Sequence, residues 1–219
     1  VRLLPLSVTL LLAATGVPRL WPRASPRRVV TWGLAALLAG IISLVAALEV
    51  GAGAAIVTVP LLFAGLGVGA LASQLGAVTV SAMPDEMSGE VGGLQNTATN
   101  LGASLGTALA GSVLISALTA SFLAGIATNP DVPDAVVQQA SVDLAGGIPF
   151  LSDELLDQAL TDAGVDPTTA QAVVDENTAA RIDGLRISLS VLGLITLVAI
   201  FFTRLLPSRP VGETVQSSA

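Results

Sequence analysis

Between Glu49 and Asp85 no residue of this chain carries a charge, and the same holds from Arg28 to Glu49 and from Glu90 to Asp131. A helix crossing the hydrocarbon core of a bilayer needs about 20 mostly apolar residues. The runs lack period-two alternation, so helices are expected rather than transmembrane strands. Spans are expected at about 29–48, 54–82 and 94–117. Another is expected at about 185–205, flanked by Arg186 and Arg204 and stopped by Pro207 and Pro210. The run at about 3–17 is short and reads as a partial span; a signal-peptide core is the alternative, although no A-x-A-like cleavage site follows. The expected fold is thus an all-α integral membrane protein with four full spans and one partial span. Composition agrees: 53% of residues are hydrophobic and 11% charged, against about 25% charged in soluble domains. The chain opens on Val1-Arg2 rather than Met. It is read as part of a longer protein, with an alternative start as the other explanation.

Arginine placement orients the spans, because basic residues collect in short cytoplasmic loops. Arg19, Arg23, Arg27 and Arg28 crowd the loop between the first two apolar runs. That loop is expected on the cytoplasmic side of a cell membrane. Alternation then puts the turn at 49–53 outside, the loop at 83–93 inside and the segment from 119 to 183 outside. The C-terminal tail, 207–219, returns to the cytoplasm with Arg209. The loop at 83–93 argues weakly against this, since it holds Asp85, Glu86 and Glu90 and no Arg.

The formal net charge of −7 conceals two opposite parts. Residues 119–183 hold eleven acids against the single base Arg181, a net of −10, while the rest holds five acids and eight Arg, a net of +3. Two or three short amphipathic helices are expected in this acidic insertion. Pro133 opens the first. Ser152 caps the second, with Asp153 and Glu154 in its first turn, where the helix dipole favours anions, and Gly164 placed to end it. Asp166-Pro167 reads as N-cap and first residue of a third. The segment would serve as a lid, a docking surface or a cation-attracting mouth, or simply as a solvated cap. The spacing of a calcium loop is missing.

Inside the spans, small residues recur every four positions. One stripe runs through Gly65, Gly69, Ser73 and Ala77, and another through Ala98, Gly102, Gly106 and Ala110. Such stripes let helix backbones approach closely, so Gly65, Gly69, Gly102 and Gly106 are expected at helix contacts. Polar residues in the spans are few: Gln74, then Asn96 and Asn100 on one face that continues through Ala103 to Thr107. Intramembrane polar groups are costly unless paired or facing water. Gln74, Asn96, Asn100 and Thr107 are therefore candidates for lining a solute path, with hydrogen bonding between helices as the plainer alternative. No Asp or Glu lies within a span, and Glu49 stands only at a span end.

Catalysis finds little support. There is no Cys, His, Tyr or Lys. That removes the thiol nucleophile, zinc-thiolate sites, His-based triads and the HExxH metal site. No enzyme activity, metal or other cofactor is expected. The bilayer is the expected partner, and no nucleic acid is.

Several of these segments together resemble a known family. They are Gly65-Leu66-Gly67-Val68-Gly69, Met83-Pro84-Asp85-Glu86, Gly92-Gly93-Leu94-Gln95-Asn96-Thr97 and Asn100-Leu101-Gly102-Ala103-Ser104-Leu105-Gly106. They look like the late spans of the fourteen-span drug:proton antiporters of the major facilitator superfamily, the EmrB/QacA type. The basic loop resembles that family's cytoplasmic G-R-L-x-D-R-x-G-x-R-R pattern in its second-half copy. Arg19, Leu20, Arg23, Arg27 and Arg28 match it, while Pro18, Pro22 and Ser25 replace its Gly, Asp and second Gly. The acidic segment, with Gly146-Gly147-Ile148-Pro149-Phe150 and Ala180-Arg181 through Arg186, is similar to that of actinobacterial members.

The resemblance implies spans ten to fourteen of a transporter that rocks two bundles about a central site. Its partners would be a drug-like small molecule, protons and an N-terminal transporter half missing from this chain. The alternative from the residues alone is a non-transporting membrane-anchored protein whose acidic exterior domain binds a partner.

Overall fold

The computed structural model describes residues 4–49, 56–81, 88–144, 146, 152–206 and 208, with side chains at all of these except 75–81, 88 and 91. Parts of the expected turn at 49–53, Asp85 and Glu86, Gly147 to Phe150 and Arg209 lie outside the described residues. Among the described residues all regular structure is helical. The order is α1 (Leu4–Leu20), α2 (Pro26–Ala47), α3 (Thr58–Ser81), α4 (Ser88–Thr128), α5 (Asp134–Asp143), α6 (Asp153–Asp162) and α7 (Pro167–Phe202), with a 3-10 turn at Thr203–Leu205. Among the described residues three stretches are long and apolar enough to cross a bilayer: Pro26–Ala47, Gly92–Thr128 and Pro167–Leu205. Leu4–Leu20 and Thr58–Gln74 are shorter apolar helices.

The chain divides into two compact units. The first holds α1, α2, α3, the N-terminal part of α4 and the C-terminal end of α7. Its packing rests on the run Gly65-Leu66-Gly67-Val68-Gly69. At 3.6 residues per turn, residues four apart share a face and residues two apart lie on opposite sides. Gly65 and Gly69 therefore meet α1, where a Cβ at Gly65 would run into Thr9 Oγ1 and one at Gly69 into the Leu10 carbonyl. Gly67 looks the other way, and a Cβ there would lie 2.6 Å from the Gly33 carbonyl oxygen of α2. α2 answers with its own glycines: a Cβ at Gly40 would stand 2.7 Å from Ala64 N. α3 is thus held by backbone contact on both sides. Thr31 Oγ1 and Thr203 Oγ1, 3.0 Å apart, tie α2 to the 3-10 turn.

The second unit holds the C-terminal part of α4, α5, α6 and the N-terminal part of α7. It has a side-chain core: Leu118, Phe122 and Ile126 of α4 pack with Val132 and with Ala172, Val173 and Ala180 of α7. Apolar faces of α5 (Val136, Val137) and α6 (Leu156, Leu160) close over it. Ser152 Oγ accepts from Leu155 N at 3.3 Å and caps α6. Gly164 ends it at φ +73°, a left-handed conformation that costs Gly little. Asp153, in the first turn of α6, is forked by Arg181 of α7 at 3.1 Å and accepts from Asn177 Nδ2 at 3.2 Å. Asn129 donates to Glu176 at 2.9 Å, and Thr169 Oγ1 to the Asp131 carbonyl at 3.1 Å.

One expectation changes here. Asp166 does cap a helix at Pro167, accepting from Thr168 N at 2.9 Å. That helix is not a short third one, because α7 continues without interruption to Phe202. In the same way α4 runs past residue 117 to Thr128. Charge marks where a helix meets water, but only a breaker ends it. No proline stands between Thr168 and Phe202, and α4 stops where Asn129-Pro130 withdraws the next amide donor. Among the described residues of the acidic segment, α5 and α6 are the short independent helices.

Candidate functional site at the basic loop

Four arginines were singled out around the first loop, and the structure gives them different surroundings. Arg19 sits in the last turn of α1 and donates from Nη1 to the Thr15 carbonyl at 2.9 Å. A cation there complements the negative end of the helix dipole. The chain then turns tightly, with Ala24 N donating to the Trp21 carbonyl at 3.0 Å. Ser25 is buried, and its carbonyl accepts from Arg28 N at 2.9 Å. Pro26 opens α2 with φ already suited to a helix and no amide to satisfy.

Two hollows flank this turn, both within the first unit. One, of about 1150 Å³, has apolar walls from Leu12, Val17, Trp32 and Leu66, with Arg23 and Arg28 among its lining residues. The other, of about 770 Å³, is lined from α2 by Arg27, Arg28 and Trp32 and from the end of α7 by Phe201 and Arg204. Arg204 lies over the Phe201 ring, 4.9 Å from its centroid, a cation–π arrangement. The loop motif could not reveal Arg204. It comes from the far end of the chain, and only the packing of α2 against the end of α7 brings it beside Arg27 and Arg28.

Gln74 donates to its neighbour Ser73 at 3.3 Å. Asn100 Nδ2 donates to Asn96 Oδ1 at 3.4 Å, so the two do share a face of α4, and both are exposed. Gln74, Asn96 and Asn100 belong to the first unit and Thr107 to the second.

The small-residue stripes also differ. Gly65 and Gly69 face α1 as described, whereas a Cβ at Gly102 or Gly106 would meet no atom within 4 Å. Glycines at the α2–α3 contact that stripe reading passed over are Gly33, Gly40 and Gly67. Gly67 was legible in principle, since it stands two residues from both members of the stripe and so faces the opposite neighbour.

Among the described residues no group of His, Cys, Asp or Glu is arranged to hold a metal ion. Comparison with family models, curated proteins and solved structures gives no match for this chain.

Proposed function

We propose that the chain is the C-terminal portion of a multi-span secondary transporter, a proton-coupled exporter of drug-like small molecules of the fourteen-span drug:proton antiporter type. On this reading α1 is a partial span and α2, α3, α4 and α7 are full ones. The basic loop and the C-terminus are cytoplasmic, and the acidic segment lies outside.

The observation that carries the proposal is the N-terminal half of α4. It bears an Asn96–Asn100 ladder and a Gly102–Gly106 stripe, yet among the described residues both lie open. Leu94 is 72% exposed, Leu101 60% and Leu105 64%, all on one side of the helix and roughly opposite Asn96 and Asn100. Lipid suits the leucines but not an amide ladder, which is costly in hydrocarbon unless it meets a partner or water. A helix of this kind fits the inside of a larger bundle, with the glycines against neighbouring helices and the amides towards a solute path. The close α1–α2–α3 packing supplies the stiff element that a rocking bundle needs.

The test is expression of the gene together with its upstream coding sequence in an efflux-deficient host. A fluorescent cationic dye should accumulate less, and a protonophore should abolish the difference. In that full-length protein Asn100→Ala should change which compounds are tolerated. An unchanged profile over a panel of drugs would return Asn100 to a structural role. A stop codon and ribosome-binding site just before Val1 would refute the transporter reading.

The topology has its own test. A Cys at exposed Asp157 should react with an impermeant maleimide added to intact cells, and a Cys at exposed Pro22 should not. Ser25 is unsuitable as the inner probe because burial alone would protect it. The reverse labelling pattern would refute the orientation.

A second reading, a membrane anchor for a partner-binding exterior domain, is favoured by one observation. The second unit has a side-chain core and a forked ion pair of its own, as a domain that folds in water would.

A further inference from the structure

The hollow between the first turn of α2 and the end of α7 is lined by three arginines, Arg27, Arg28 and Arg204, and among the described residues by no acidic one. The ion pairs among the described residues, Arg181–Asp153 and Arg186–Asp183, lie elsewhere. Three cations around one cavity repel unless an anion lies among them. The planar fork of Arg suits phosphate oxygens in particular. The first turn of α2 adds the positive end of its dipole, with the Ser25 and Ser208 side chains also at the lining.

The apolar part of the lining says what carries the phosphate. Along α2 the wall passes from Arg27 and Arg28 to Thr31 and Trp32. Along α7, read backwards, it passes from Arg204 through Phe201 and Ile200 to Leu197. Both walls grade from charge through an aromatic ring, and the second reaches aliphatic side chains. The gradient from Arg204 to Leu197 covers about 10 Å at 1.5 Å per residue. A free phosphate would use only the charged end. A phospholipid uses all of it, with its headgroup at the arginines, its glycerol beside the aromatic rings where membrane interfaces place Trp, and its acyl chains along Leu197 and Ile200. Trp32 is 72% exposed, so the hollow is open for a lipid to enter sideways.

We infer that this hollow is a binding site for an anionic phospholipid, held by Arg27, Arg28 and Arg204. The inference needs membrane insertion but not transport, and it stands or falls separately from the exporter reading.

The test uses the purified full chain in vesicles, with Trp21→Phe so that Trp32 is the sole tryptophan. Trp32 emission is quenched with phosphatidylglycerol or phosphatidylcholine brominated on the acyl chains. Each arginine near an anionic headgroup favours it by about fivefold, so brominated phosphatidylglycerol should quench at a much lower mole fraction. The triple variant Arg27→Gln, Arg28→Gln, Arg204→Gln should lose the preference while brominated phosphatidylcholine still quenches, which shows the variant is inserted and folded. Arg204→Lys, which keeps the charge, should retain most of it. Equal quenching by the two lipids in the parent protein overturns the proposal, as does a preference that survives in the triple variant. Loss of the preference on adding inorganic phosphate at constant ionic strength would assign the site to a free anion and overturn the lipid.

Discussion

Gly67→Leu and Gly69→Leu are each expected to abolish monodisperse, folded protein in detergent, while Gly102→Ala leaves it intact. A Cβ at Gly67 would stand 2.6 Å from the Gly33 carbonyl oxygen and 2.6 Å from Leu37 N. One at Gly69 would meet the Leu10 carbonyl and lie 2.7 Å from Ala13 Cβ. Most of these neighbours are backbone atoms, which cannot rotate aside as a side-chain end can. Whole helices must separate instead. Even one methyl inserted into a close-packed contact costs about 1–3 kcal/mol, so Gly67→Ala and Gly69→Ala should lower the thermal midpoint by circular dichroism. Their gain in helix propensity, about 0.8–1.0 kcal/mol, only partly offsets that. At Gly102 and Gly106 a Cβ meets nothing within 4 Å, so Ala there should be neutral or slightly stabilising in this chain. Equal damage at Gly67 and Gly102 would refute this account of the packing. If Gly102→Ala becomes harmful only in a longer protein containing the proposed first half, the helix covering α4 has been located.

The second large effect is expected in the acidic segment. Leu118 is 0% exposed and sits at the centre of the core formed by α4 and α7. Leu118→Ala removes buried methyl groups and leaves a cavity, at a cost of about 2–5 kcal/mol. Hydrogen exchange at α5 and α6 should accelerate strongly, since their apolar faces have little else to hold them. Exchange in α1 to α3 should not change. Leu155→Ala, on a side chain 57% exposed in α6, is the control and should be nearly silent. Protection of α5 and α6 unaltered by Leu118→Ala would mean the core does not hold that unit together.

These two effects come from different physics, and the sequence signals differ accordingly. On the proposed topology the second unit lies in water, where apolar burial drives packing; it gathers Leu118, Phe122, Ile126 and Val173 into a core. Its caps were legible residue by residue. Ser152, Gly164 and Asp166-Pro167 act through their nearest neighbours, and the structure uses each where local chemistry puts it. In a lipid-like setting apolar burial distinguishes nothing, and small residues decide which helices touch. A stripe of glycines then shows that a helix can be approached, but not by what. Gly65–Gly69 and Gly102–Gly106 read alike in sequence, yet the first pair touches α1 and a Cβ at the second would meet nothing among the described residues.

The sequence alone determined that the chain is helical, where its charge is concentrated, and which residues open and close the short helices. Those properties depend on composition and on contacts a few residues apart. Tertiary structure decided the rest. It turned α3 into a helix held on two faces by Gly67 and Gly65–Gly69. It extended α4 and α7 through the boundary that charge had suggested, because no proline stood there. It also brought Arg204 to Arg27 and Arg28 from the far end of the chain. Each of these depends on which helix lies beside which, and a run of apolar residues with no polar side cannot encode that in its own pattern.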